Sequence, residues 1–140
     1  YIGNLKALCQ ELKLQDKVTF HGRLTGQPLV DIYQKCSVHL MPTTSHEGLP
    51  LTILEGMAYG LATIASNIGG IPTAISDGQD GILIRPGNVS DLTNDLAELI
   101  KNEEHRANIG LAARKTVQRR YSMQKMVDDT LEVLSRYAKE

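Results

Sequence analysis

Ile2, Leu5, Leu8, Cys9 and Leu12 recur at helical spacing on one face, which predicts a helix over residues 3–14. The pattern then changes period. Lys17–His21 reads as a short strand closed by Gly22, Pro28 opens a second helix to about Lys35, and Ser37–Met41 reads as a second strand. Thr43–Gly48 is polar loop. Pro50, with its fixed φ and no N–H, suits the first position of a helix running to Tyr59 and stopped by Gly60. Leu61–Ala65 is a third strand, and Gly69-Gly70 makes a tight turn before the short segment Pro72–Ser76. Asp77–Gly81 has turn chemistry and precedes a fourth strand, Ile82–Ile84, ended by Pro86-Gly87. From there the chain is helical. Ser90 reads as an N-cap before a stripe of Leu92, Leu96, Leu99 and Ile100. Two further helices cover Glu104–Arg119 and Met123–Ala138, the last with Met126, Val127, Leu131 and Leu134 inward. No internal repeat or low-complexity linker interrupts this order.

Strands alternating with helices, the strands short and nearly all apolar, predict an α/β fold: a parallel sheet with helices on both faces. Ligands of such sheets bind outside the carboxyl ends of the strands. The loops at Gly22-Arg23, Thr43–Pro50 and Asn67–Pro72 each follow a predicted strand, so they are expected to line one edge.

Bulk properties narrow the possibilities. A length of 140 residues suits one domain, and a formal net charge of −1 lacks the basic footprint of a nucleic-acid binder. Cys9 and Cys36 are widely spaced in apolar-looking helical stretches and read as buried free thiols of a reducing compartment rather than a disulfide. No run approaches the ~18–20 apolar residues of a membrane span. The N-terminus has no signal-peptide pattern and no initiator Met, and it begins inside an amphipathic pattern. We expect a fragment of a longer chain.

The candidate chemistry lies between Thr43 and Gly60. Gly48 lets backbone approach a ligand closely, and the amides from Leu49 to Thr52 open a helix, where orphan N–H groups and the dipole favour a phosphate. Glu55 lies about one turn further in, within reach of a ribose whose phosphates sit on the helix end. Glu47 lies before the turn, where a sugar beyond the phosphates would be. One carboxylate at each end of a diphosphate site fits hydroxyl recognition. By spacing alone the pair reads more readily as solvated surface acids; the surrounding Glu47-Gly48-Leu49-Pro50, the apolar helix and its Glu55–Gly60 ending favour the functional reading. His46-Glu47 lacks the second His of a zinc motif, and no dinucleotide or P-loop glycine pattern occurs. His21, His39 and His105 read as structural. Asp77–Gly81 reads as a plain turn rather than a calcium loop. Gly69-Gly70 either holds backbone close to a ligand or simply ends a strand.

These motifs, in this order, resemble the group 1 glycosyltransferases, a large retaining family with two facing Rossmann-like domains (the GT-B architecture). The resemblance runs through Val18–Leu24, Tyr33…Ser37, Met41-Pro42-Thr43, the Glu47-x7-Glu55 element, Ala65–Pro72, Asp77–Ile84, Pro86-Gly87-Asn88 and Tyr121-Ser122, to Tyr137 in the last helix. It implies that residues 1–140 are the C-terminal, donor-binding Rossmann-like domain, incomplete at its N-terminus. Glu47 would hold hydroxyls of the donor sugar near the reacting carbon, the catalytic position. The amides of Gly48 and Leu49 would meet sugar or phosphate, those of Leu51 and Thr52 the diphosphate, and Glu55 the ribose. The backbone at Arg23-Leu24 would meet the base. The implied substrate is a nucleotide-diphosphate sugar, with no cofactor and no metal. The sugar would pass with retention to a carbohydrate or lipid-linked hydroxyl acceptor. The implied location is cytoplasmic, with a peripheral membrane contact through Arg114, Lys115, Arg119 and Arg120 as one option and a solvated helix face as the other.

Three departures stand out. Thr73 follows Gly69-Gly70-Ile71-Pro72 where the family commonly has Glu, and Met123 stands where an aromatic is frequent. The family's upstream cationic phosphate ligands and its acceptor domain lie outside these residues. The isolated 140 residues are therefore expected to be inactive and to bind donor at millimolar strength or not at all. Two rival readings stay open: a non-catalytic binding or assembly module on the same fold, and a sugar epimerase of the same two-domain architecture.

Overall fold

The computed structural model describes residues 2–137. Two compact units divide between Asp31 and Ile32.

The first unit carries α1 (Ile2–Glu11), ended by a turn with Lys13 in the left-handed region (φ 55°). The predicted strand at Lys17–His21 does not form. Lys17 and Val18 instead donate their N–H groups to the Leu14 carbonyl (2.9 and 3.0 Å), so those donors are committed to a turn rather than a ladder. Val18 and Phe20 keep more than a third of their surface exposed, and the Lys6 ammonium sits 5.9 Å from the Phe20 ring centroid. Cys9, predicted to be buried, is only half-buried.

From Ile32 on, the chain follows the predicted alternation. α2 (Gln27–Lys35) straddles the division and leads to β1 (Val38–Met41), α3 (Leu51–Ala58) and β2 (Ala62–Ser66). A single 3-10 turn (Ile71–Thr73) precedes β3 (Ile82–Ile84), followed by α4 (Val89–Lys101), α5 (Glu103–Arg120) and α6 (Met123–Tyr137). The three strands form a parallel sheet in the order β1-β2-β3, with Met41 opposite Ala65 and Ala65 opposite Leu83. Cys36, read as buried, lies just past α2 and is exposed.

Every residue of β2 is buried, as expected for the central strand of a doubly covered parallel sheet. Its side chains alternate between two cores. Ala65 packs with Ile53 and Met57 of α3, with Ile71, Ala74 and Ile75, and with Ala113 of α5. Ala62 and Ile64 pack with Ile84 of β3, Leu99 of α4 and Ile109 of α5. Helix α5 therefore serves both cores. Gly110 makes that possible, because a Cβ there would lie 2.1 Å from the Gly60 carbonyl oxygen.

Three further expectations need correction. Helix α4 is capped by Asn88, not Ser90: the Asn88 side chain accepts from the Asp91 N–H at 3.0 Å, and Ser90 is already inside the helix. Ile100 stays 64 % exposed, because the buried stripe of α4 runs through Leu92, Leu96 and Leu99. The residues predicted to face inward on α6 are exposed, since none of its side chains is buried among the described residues. Ala138, the predicted end of that helix, lies outside the described residues.

One buried carboxylate ties the β2–β3 connection to α5. Asp80 accepts from the Ser76 N–H and the Thr116 hydroxyl, both at 2.7 Å. Each hydrogen bond to a charged group contributes about 1.5–3 kcal/mol. Asp80→Ala is expected to destabilise the fold by about 3 kcal/mol in urea denaturation, with Asp80→Asn losing roughly half as much. Equal losses in both variants would show that shape, not charge-assisted bonding, dominates there.

Candidate functional site

The site begins with the sheet. Because β1 and β2 are parallel neighbours, the loops leaving Met41 and Ser66 emerge side by side at the carboxyl edge. The second loop then locks the first. Gly70 donates its N–H to the Glu47 carbonyl at 3.1 Å. Gly69 takes φ +59°, and a Cβ there would lie 2.1 Å from the Glu47 oxygen; at Gly70 it would lie 2.8 Å from the Gly48 carbonyl carbon. Only two glycines allow this approach. Neither reading of Gly69-Gly70 named this contact: the close approach is to the protein's own backbone at Glu47–Leu49.

The gripping turn is itself anchored. Thr73 donates its hydroxyl to the Gly70 carbonyl at 2.6 Å, and its own carbonyl accepts from Arg120 (2.8 Å) and the Tyr121 hydroxyl (3.1 Å). Thr73 thus fills a local structural role at the position where the family commonly has Glu. Arg120 is thereby drawn out of the basic cluster on α5 and used to hold the loop.

Glu47 is exposed and accepts from the Thr43 hydroxyl at 3.2 Å; that same oxygen accepts the Ser45 N–H at 3.2 Å. Gly48 has no atom within 4 Å of where a Cβ would be, so its open side has room for a ligand. Leu49 turns inward and packs against the α3 core. Pro50 is the N-cap of α3 rather than its first helical residue (φ −63°, ψ 125°), and it offers no side-chain cap. Ile53 takes the Pro50 carbonyl at 3.1 Å. The Leu51 and Thr52 amides have no acceptor among the described residues. Two free donors and the positive end of the dipole point to the mouth of the loop.

Glu55, one turn in, is half-buried and accepts from the Tyr33 hydroxyl at 2.9 Å. The Tyr33 ring stacks on Tyr59 (centroids 5.1 Å apart, planes 6° apart) and stands edge-on to His39 at 6.3 Å. Burial, then the hydrogen bond to Glu55, push the Tyr33 hydroxyl up to about 12, so it stays a donor. His39 sits on β1 beneath α3, where a Cβ on Gly56 would lie 2.7 Å from the ring. Its Nδ1 is buried without a partner among the described residues, and desolvation lowers the imidazole below its usual value, partly opposed by the nearby Glu55 charge. Neither Tyr33 nor His39 was read from the sequence as part of the constellation. Tyr33 lies 22 positions from Glu55, so no helical or strand period links them.

Arg23 is exposed and Leu24 half-buried, both in the first unit. With no strand over residues 17–21, the sheet-edge argument for placing them with the other loops lapses. At the opposite, amino edge of the sheet a concavity of about 550 Å³ opens beside Ser37 and Leu61, between Tyr59, Arg106 and Arg114. It contains none of the loop amides.

Two outcomes follow from this geometry. Gly69→Ala combines the left-handed penalty with a backbone collision and is expected to destabilise by at least about 2 kcal/mol, measured by chemical denaturation. For His39 the folded-state value lies below the usual 6.5, so on acidification the unfolded chain takes up a proton first and stability falls. The slope below pH 6.5 is expected to reach at most about 1.4 kcal/mol per pH unit, and His39→Gln should remove it. An unchanged slope in the variant would assign the effect to other groups.

Comparison with known proteins identifies the family. The family model described as "Glycosyl transferases group 1" matches residues 3–116. The D-inositol 3-phosphate glycosyltransferase of Stackebrandtia nassauensis is 34 % identical over 109 residues, 78 % of this chain and 24 % of that protein. The sulfoquinovosyl transferase of Arabidopsis thaliana is 39 % identical over 103 residues, 71 % of this chain and 20 % of that protein. The chain thus spans about a quarter or less of the length of these curated relatives. Among solved structures, a glycosyltransferase from Rickettsia africae superposes with TM-score 0.86 at 26 % identity, covering 99 % of this chain and 37 % of that one. HepE of Anabaena, crystallised with UDP, superposes with TM-score 0.90 at 24 % identity, over 97 % of this chain and 37 % of that one. Both show the Rossmann-like half of a GT-B architecture. The chain belongs to the group 1 glycosyltransferases.

Proposed function

We propose that this chain forms the donor half of a retaining glycosyltransferase that binds a nucleotide-diphosphate sugar and passes the sugar to a hydroxyl of a carbohydrate or lipid-linked acceptor. One observation carries the reading. The Glu47–Leu49 backbone is clamped beside the Leu51 and Thr52 amides, which have no acceptor among the described residues, with a second carboxylate, Glu55, one turn behind them. In this reading the two carboxylates serve as hydroxyl acceptors on either side of an anion site.

Each residue then has a physical task. The Leu51 and Thr52 amides take the diphosphate, aided by the α3 dipole. Those of Gly48 and Leu49 meet the sugar or the phosphate next to it. Glu55 accepts from the ribose hydroxyls, and Glu47, exposed at the mouth, accepts from sugar hydroxyls near the reacting carbon. As the glycosidic bond breaks, negative charge grows on the leaving diphosphate, and fixed amides stabilise it without reorganising. No cofactor or metal enters this scheme.

The names of the relatives differ in sugar and acceptor, so the substrate is proposed only as a class. Reaction occurs on the cytoplasmic side, with Arg114, Lys115 and Arg119 as candidate contacts for an anionic membrane surface. In the full-length protein, Glu47→Ala is expected to lower transfer by about 100-fold or more while nucleoside-diphosphate affinity changes by less than about tenfold. Product anomers read by NMR should match the donor configuration. Unchanged turnover in the variant would remove Glu47 from the reaction.

A further inference from the structure

We infer that Tyr33 is a positioning residue for the donor site: its hydroxyl fixes the Glu55 carboxylate so that one oxygen stays free for the vicinal hydroxyls of a ribose. The inference rests on the donor reading given above and adds a residue outside the Glu47–Glu55 element to it.

The geometry begins with a flexible acid. A glutamate side chain has three rotatable bonds and gives up rotamer freedom to hold a ligand. Here that freedom is already restricted, because the Tyr33 hydroxyl donates to Oε2 of Glu55 at 2.9 Å in a half-buried setting. Tyr33 is in turn immobilised by its stack on Tyr59 and its edge contact with His39. Tyr59 is the C-cap residue of α3, and His39 lies on β1. The carboxylate is therefore referenced to α2, α3 and the sheet at once. A carboxylate offers about four acceptor positions. Tyr33 occupies one, and Oε1 has no partner among the described residues. Because the phenol keeps its proton, as its upward shift requires, it adds no negative charge next to Glu55. What remains is a pre-oriented acceptor with its second oxygen available, which lowers the ordering cost when a diol arrives.

The test edits both partners. In the full-length protein, titration calorimetry compares UDP, GDP and ADP with their 2′,3′-dideoxy counterparts, for wild type and Tyr33→Phe. The phenylalanine keeps the ring stack and removes only the hydroxyl. For the ribonucleotide that binds wild type, Tyr33→Phe is expected to weaken binding by about tenfold. Its dideoxy counterpart should change by less than about twofold, and on a Glu55→Gln background Tyr33→Phe should add nothing further. Equal weakening of both nucleotides, as loss of packing or of folding would give, overturns the positioning role. So does an unchanged ribonucleotide affinity in a wild type that binds. If wild type binds none of the ribonucleotides, the donor reading itself fails and this inference fails with it.

Discussion

The arrangement depends on one close approach, the contact between the Gly69-Gly70 turn and the backbone of Glu47–Leu49. A polar loop such as Thr43–Gly48 has little of its own to fix it: a threonine hydroxyl, and a Leu49 side chain turned into the core. The hydrogen bond from Gly70 N–H to the Glu47 carbonyl supplies the missing constraint. It works because every part behind it is stiff. β2 is buried on both faces, the parallel register sets Met41 against Ala65, and the turn is held from behind by Thr73, Arg120 and Tyr121. A site carried on loops thus gains the precision of the sheet to which the loops are bound.

What could be read from the sequence was the part governed by periodicity. Three parallel strands, the helices between them and the two-sided cover follow from the alternation of short apolar runs with helical stripes. Errors fall where a local signal had two readings. Asn88 and Ser90 are both good caps, and the choice went to the residue whose side chain reaches the Asp91 N–H. Residues 17–21 have strand composition, yet the first two amides, those of Lys17 and Val18, are spent on the Leu14 carbonyl, and a strand without ladder partners is not stable. The stripe on α6 is genuine as a pattern. A pattern states which face prefers to be buried, not whether anything covers it.

The candidate site residues were legible to a different degree. Glu47 and Glu55 became candidates because a loop followed by a helix start is a pattern that can hold an anion, with family resemblance adding the role proposed for each carboxylate. Contacts between elements left no such trace. Tyr33 meets Glu55 only because the tertiary fold brings it beside α3, and Thr73 replaces an expected acid by a short hydroxyl bond to the Gly70 carbonyl. Single-sequence reasoning has no access to these, since they arise from tertiary geometry rather than from spacing.

The two glutamates also differ in how firmly they are held, and the difference fits a division of labour. Glu55 is half-buried, bonded to a phenol at 2.9 Å, and that phenol is itself stacked. Glu47 is exposed, with one longer contact at 3.2 Å from a threonine hydroxyl that also has the Ser45 carbonyl within reach at 3.5 Å. In the proposed reading, Glu55 faces the ribose, a group with the same diol in every ribonucleotide donor, so rigidity costs no versatility there. Glu47 faces the sugar and the reacting carbon, where geometry changes as the bond breaks. An acceptor free to follow that change can bind the transition state better than the ground state, and only that difference raises the rate of transfer. Fixed backbone with a free carboxylate at one end, and a fixed carboxylate at the other, is the arrangement such a donor site requires.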